Sequence, residues 1–438
     1  MNKDGIAKDN VSDCGICDLH LIYPCSFDDY IIPNKYSIID ENSPFDNPYK
    51  EESEEEMLKF QHSDFFIQKL HDNSNYEFND AFIKKIIRIP LGEIKCGFSY
   101  MGVDYYEQGF AYISKHTITE VGTFSIVFPQ VTNPVTLELF SFCENTLNII
   151  EKGKATEVSQ WLKNRKIEIC GYPKAVMFSY DCRLNKCDIL KCLAFEMEPI
   201  GGITSKKLNE WANDNIAQYD VAEVFVSDRC MIEIRKDKEP NVYLRLKAQA
   251  VELFFIEILL FQEAAISRVC SRVSYHLNEV SSRGSDKNSF EILSRLSREM
   301  ANAIMFIDHK RLRYPSVRIS SEIIAERFGL PEELDKYYKY REILEDMINL
   351  NSNEHDKIES SLMNFLLLVL TMIQVIPTLK VFIDITMSEE VNTYNWISLI
   401  ISLATCVLFY ILYKVFRWTS IRKLSKNRSK KKKYYGKK

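Results

Sequence analysis

No apolar run of signal-peptide type follows the N-terminal residues, and Met1–Asn10 is polar. A secretory signal peptide needs an apolar core, so none is expected there. No Gly-x-Ser-x-Gly or metal-hydrolase motif occurs, and the seven histidines are dispersed. That removes the recognisable hydrolase constellations, and no enzyme activity is expected. The glycine-rich stretch Gly201-Gly202-Ile203-Thr204-Ser205-Lys206 lacks the Gly-Lys-Ser/Thr order of a Walker A loop. The twelve cysteines follow no framework spacing. With a cytoplasmic head they are expected to be mostly reduced thiols. Nucleic acid is not an expected partner.

Charge is distributed unevenly. From Lys414 to Lys438 there are twelve Lys/Arg and no acid, while the whole chain carries -5; residues 1–413 therefore carry -17. Ahead of this tail lie two apolar segments, Leu362–Ile383 and Trp396–Phe416. Each is long enough to cross a hydrocarbon core of ~30 Å as a helix. The loop between them holds Asp384, Glu389 and Glu390 and no Lys or Arg. By the positive-inside rule both termini would be cytoplasmic, giving a two-pass protein of the inner or plasma membrane.

The fold class expected is an α+β cytoplasmic domain, then long helices, a stalk helix and a C-terminal two-helix transmembrane hairpin. Residues 1–60 read as an acidic, loosely packed arm. Residues 61–239 read as the α/β domain. Its strand candidates are Ile86–Leu91, Thr123–Phe128, Lys166–Cys170 and Ala175–Tyr180. Ala222–Val226 and Cys230–Arg235 bracket Ser227-Asp228-Arg229 as a hairpin, and a helix is expected over Leu208–Gln218. Residues 240–330 form a long-helix region, with helices over Pro240–Gly284 and Asp286–His309. The apolar stretch Val251–Phe261 contains Glu252 and Glu257; it is too short to span and reads as a buried helix. The stalk, 331–361, flows without a breaker into the hairpin at 362–416, and the basic tail takes 417–438. A lone helix of that length needs neighbours to bury its near-heptad stripe, so a homo-oligomer is expected.

Inside the first apolar segment, Asn364, Thr371, Gln374 and Thr378 fall within an arc of about 80° at helical spacing. Such a face either hydrogen-bonds within a helix bundle or lines a pore.

This layout resembles the CorA family of divalent-cation transporters. The resemblance rests on the order of domains, on Val369-Leu370-Thr371-Met372-Ile373-Gln374-Val375-Ile376-Pro377, which is similar to the family's first-span stretch, and on the polar face. It implies a homopentamer in the lipid bilayer, a cation channel or transporter with Asn364, Thr371, Gln374 and Thr378 around the axis, and magnesium as transported or regulatory ion. The family's Gly-Met-Asn signature is absent after the first segment, where Phe382-Ile383-Asp384-Ile385-Thr386-Met387 stands. A ring of Glu389 and Glu390 would attract cations in its place. In the family, basic residues near the membrane control opening, which implies a gating role for Lys430, Lys431, Lys432 and Lys433. CorA-like proteins beside type III CRISPR systems act as antiviral effectors opened by a nucleotide second messenger, and this divergent chain resembles that branch as an alternative. The other alternative is a receptor or enzyme merely tethered by its spans.

Two minor signals complete the reading. Cys14, Cys17, His20 and Cys25 are ligand types for zinc, but the spacing fits no zinc module and reduced structural thiols are the favoured reading. Gly201, Gly202, Thr204, Ser205 and Lys206 precede a helix and suit a phosphate, although an ordinary capped helix explains them as well.

Overall fold

The computed structural model describes residues 16–43, 47–48, 50–57, 59–78, 80–100, 103–131, 147–180, 193, 204–217, 220–236, 241–283, 287–306, 312–313 and 315–386. In chain order the elements are β1 (Ile16–Ser26), α1 (Glu54–Met57), α2 (His62–Glu77), a 3-10 turn (Ile83–Lys85), β2 (Ile86–Tyr100), β3 (Val103–His116) and β4 (Val121–Phe128). Then come β5 (Asn148–Glu151), β6 (Lys154–Glu157), α3 (Val158–Asn164), β7 (Glu168–Ile169), β8 (Lys174–Tyr180), α4 (Ser205–Asn213), β9 (Ala222–Val226) and β10 (Cys230–Arg235). The helices α5 (Val242–Arg283), α6 (Lys287–Ala303), α7 (Pro315–Arg327) and α8 (Leu330–Thr386) follow.

The strands form one ten-stranded sheet in the order β6-β5-β2-β3-β4-β1-β8-β10-β9, with β7 also paired to β1. Among the described pairings, β8 with β10 is parallel and the others are antiparallel. β1 lies near the centre, between β4 and β8, and is buried along almost its whole length. Because side chains alternate across a strand, its two faces meet different surroundings. Cys17, Leu19, Leu21, Tyr23 and Cys25 enter an apolar core with Phe124, Trp161, Leu162 and Ile232. A fully buried side chain of this kind contributes about 1.5–3 kcal/mol. Asp18 and His20 face the other way, onto Arg245 and Gln249 of α5. Gly122 on β4 permits the close approach of β3, since a Cβ there would sit 1.9 Å from the Ser114 carbonyl oxygen.

The chain divides into two compact units. The first comprises Met1–Ser271 and Glu299–Lys339, the second Arg272–Arg298 and Tyr340–Lys438. The first holds the sheet and α7. Gly329, with φ +78°, turns the chain out of α7 into α8, and its N–H donates to the Glu326 carbonyl. A left-handed residue at a helix end favours glycine. In the second unit the described core residues include Leu293, Leu296 and Leu344.

The long helices fall close to the expected bounds, and α8 runs unbroken as expected. The fold class is otherwise corrected: among the described residues the sheet is large, mixed and single, and no transmembrane hairpin is present. Among the described residues no helix is long and apolar enough to cross a membrane. α8 carries exposed Asn364 and Lys380 among its apolar positions, and it continues a polar first half. In lipid each such polar group would require a partner. The second segment, Trp396–Phe416, lies outside the described residues. The membrane, transmembrane and ion-transport descriptions, the two-pass topology and the inner-membrane localisation lose their structural basis with the hairpin. The N-terminal arm also differs from expectation, because β1 is a central strand.

Candidate functional site

A cavity of about 500 Å³ opens in the first unit, at the β9–β10 edge of the sheet. β10 is placed by a tight hairpin. The Ser227 N–H donates to the Cys230 carbonyl at 2.8 Å, and the Ser227 hydroxyl oxygen accepts from the Cys230 N–H at 3.1 Å. Alternation then sends Cys230 and Ile232 into the apolar core, while Met231, Glu233 and Arg235 line the cavity.

α5 forms the facing wall. Asn241 caps it, its Oδ1 accepting from the Tyr243 N–H at 2.9 Å. One turn on, Arg245 grips Asp18 with two bonds, Nε to Oδ2 at 2.8 Å and Nη2 to Oδ1 at 3.0 Å. Gln249 donates to Asp18 at 2.7 Å and to the Tyr180 hydroxyl at 3.1 Å. These bonds fix the rotation of the helix, so that Val251, Glu252 and Phe255 face the cavity. α7 supplies Ser316, Val317, Ser320 and Ile324. The segment after α4 supplies Ile216 and Ala217, held where Asn215 Oδ1 accepts from the Val224 N–H at 2.9 Å.

Most of this lining is apolar, and the charge is confined to one end. Arg235 Nε lies 2.6 Å from Glu233 Oε1, and Arg235 Nη2 donates to Glu252 Oε1 at 3.1 Å. Two carboxyl groups therefore share one guanidinium. The Glu233 side chain is only 2 % exposed, whereas that of Glu252 is 31 % exposed and opens to the cavity. Glu233 Oε2 is buried, and the Glu252 carboxyl lies within hydrogen-bonding reach of the Glu233 side chain. Burial, and then the charge of Glu233 beside it, pushes the Glu252 carboxyl well above the usual range. The cavity thus combines apolar walls with one charged end.

The residues singled out in the sequence lie elsewhere. β1 carries Cys17 and Cys25 on one face and His20 on the other, all buried, so the strand does not gather them at a metal; Cys14 is outside the described residues. No group of metal-ligand side chains occurs among the described residues. Thr204 caps α4, its hydroxyl oxygen accepting from the Lys207 N–H at 3.3 Å, and Ser205 and Lys206 are exposed in the first turn. Gly201 and Gly202 are outside the described residues. Asn364, Thr371, Gln374 and Thr378 lie on α8, where Asn364 is exposed. Glu389, Glu390 and Lys430 to Lys433 fall outside the described residues. The residues that the sequence reading passed over are Glu233, Arg235 and Glu252. Their signal was a charge in the apolar Val251–Phe261 run and two charges two apart on one strand face.

No family model matches the chain, and no curated protein matches it.

Proposed function

We propose that the sheet unit is a binding module for a small amphipathic organic molecule. The observation that carries this is the cavity itself: apolar walls from β9, α5 and α7, and one charged end at Glu233, Arg235 and Glu252. A volume of about 500 Å³ is within the range of small-molecule sites. The same chemistry weighs against the polyanionic nucleotide that the resemblance implied, since the single guanidinium at that end is already paired with Glu233 and Glu252.

The test is displacement of a neutral apolar dye, Nile red. Wild-type protein is expected to give blue-shifted, enhanced emission, reversed by small amphipathic competitors. Val317→Trp puts an indole into the cavity and is expected to weaken dye binding at least ~10-fold, the cost of overfilling a packed space. Equal binding by wild type and variant would end this reading.

Self-association along α8 belongs to the same proposal. Ile343, Leu350, Leu362, Leu366, Leu368 and Ile373 are exposed on that helix. An apolar surface of this kind on a long helix is buried by partner helices. Native mass spectrometry is expected to show a multiple of one chain, and the pentamer implied by the CorA-like layout is one such state. A mass of one chain at micromolar concentration would remove self-association and leave the cavity proposal untouched.

A further inference from the structure

The charged end of the cavity is balanced within itself. We propose that the cavity takes an uncharged organic molecule, an apolar body bearing at most a hydroxyl or amide group, and rejects ammonium and carboxylate analogues of the same shape. This rests on the reading of the cavity as a binding site.

Three observations carry it. The first is the contact between the two carboxyl groups, Glu252 lying within hydrogen-bonding reach of Glu233. An ionised carboxylate only accepts hydrogen bonds, so this contact requires a proton on one of the two. The pair then carries one negative charge and Arg235 one positive charge, and the three side chains sum to zero.

The second is the commitment of Arg235. Its Nε lies 2.6 Å from Glu233 Oε1, its Nη2 donates to Glu252 Oε1 at 3.1 Å, and its guanidinium lies 5.9 Å from the Tyr180 ring. A carboxylate head would have to displace one of these partners. An ammonium head would meet a pair whose single negative charge is already matched.

The third is the rest of the lining. Among the described residues Glu233, Arg235 and Glu252 are the charged groups that line the cavity; the remainder is aliphatic or aromatic, except for the hydroxyls of Ser316 and Ser320. Walls of this kind strip a charged head of its water and return no counter-charge. A neutral hydroxyl or amide loses far less, and the Ser320 hydroxyl and the partly exposed Glu252 carboxyl stand where it can bond.

The experiment uses four compounds with one body: 4-phenylbutanol, 4-phenylbutyramide, 4-phenylbutylamine and 4-phenylbutyrate. Each is titrated calorimetrically into the full chain at pH 7.5, with Nile red displacement in parallel. The alcohol and the amide are expected to bind at least ~10-fold more tightly than either ion. An amine or carboxylate that binds as tightly as the alcohol would overturn the inference and leave the cavity reading standing. Glu252→Lys replaces the acid by an ammonium and gives this end a net positive charge; 4-phenylbutyrate is then expected to come within about 3-fold of the alcohol. If this variant binds the alcohol and still excludes the carboxylate as wild type does, the charge here does not decide selection and the inference fails. Glu252→Gln keeps a donor toward Glu233 and a net charge of zero, so it is expected to keep the wild-type order; a preference for either ion would count against the inference. Should the Lys variant lose even the alcohol, the Gln variant and the wild-type series decide. If no compound binds and none displaces Nile red, the cavity reading fails and the inference with it.

Discussion

Glu257→Leu is expected to destabilise the sheet unit by about 3–5 kcal/mol, measured by urea unfolding. Glu257 sits on α5 and is fully buried against β2 and β3. Arg88 Nη2 donates to Glu257 Oε2 at 2.7 Å, both side chains being 0 % exposed. The Ser114 hydroxyl donates to Glu257 Oε1 at 2.7 Å, and Arg88 Nη1 reaches the Ser74 hydroxyl at 3.1 Å. Removing the carboxylate strands a guanidinium in the interior, which is far costlier than losing a surface pair. The double variant Arg88→Met/Glu257→Leu removes both charges and is expected to recover most of the loss. A single variant within about 1 kcal/mol of wild type would mean that water reaches this pair.

The second large effect is a difference in pH dependence. His20→Gln is expected to gain about 2 kcal/mol on wild type when the pH falls from 7 to 5. Burial, partly offset by a hydrogen bond to Gln249, pushes the His20 imidazole down to about 4. Gln249 uses its amide nitrogen on Asp18 and Tyr180, so its oxygen must accept, and the proton of His20 sits on Nε2, 2.9 Å away. Nδ1 is buried without a partner among the described residues, between Phe66 and Phe178. The unfolded chain takes up a proton near 6.5 and the folded chain does not until about 4, so stability is lost as the pH falls through that window. His116 and His71 are lowered for the same first cause, while the raised carboxyls Asp18, Glu252 and Glu263 act in the opposite direction. The comparison therefore uses the variant against wild type at both values, and not the wild-type curve alone. Parallel curves for the two proteins would show that His20 titrates normally.

The hairpin β9–β10 was legible because its alternating apolar residues flank a turn of Ser, Asp and Arg, and its bounds match residue for residue. The long helices were legible from their apolar spacing. β1 was hidden for a physical reason. Asp18 and His20 look solvent-facing, but α5 covers them with Arg245 and Gln249, so a polar face is buried against polar partners contributed from more than two hundred residues away. Pro24 added to the disguise, since a proline in a central strand normally argues against one. Here its carbonyl accepts from the Cys170 N–H at 2.8 Å, where β7 takes over from β8. The cavity was half-legible: Glu252 stood out in its apolar run, but only the pairing of β10 with β8 shows which strand face it meets. The apolar length of Leu362–Ile383 was read as a membrane span, a reading that the helices among the described residues do not support.

The position of β1 sets an order of assembly. It is synthesised well before its neighbours, β4, which begins at Val121, and β8, which ends at Tyr180. Until β4 has emerged, an eleven-residue apolar-faced strand has neither flank to pair with, and until β8 follows it has only one. Long-range pairings of this kind close slowly, and an unpaired strand in the meantime is a template for other chains. The nascent chain therefore depends on being shielded through most of the synthesis of its sheet, and its yield should be governed by elongation rate and chaperone supply more than by the stability of the finished fold.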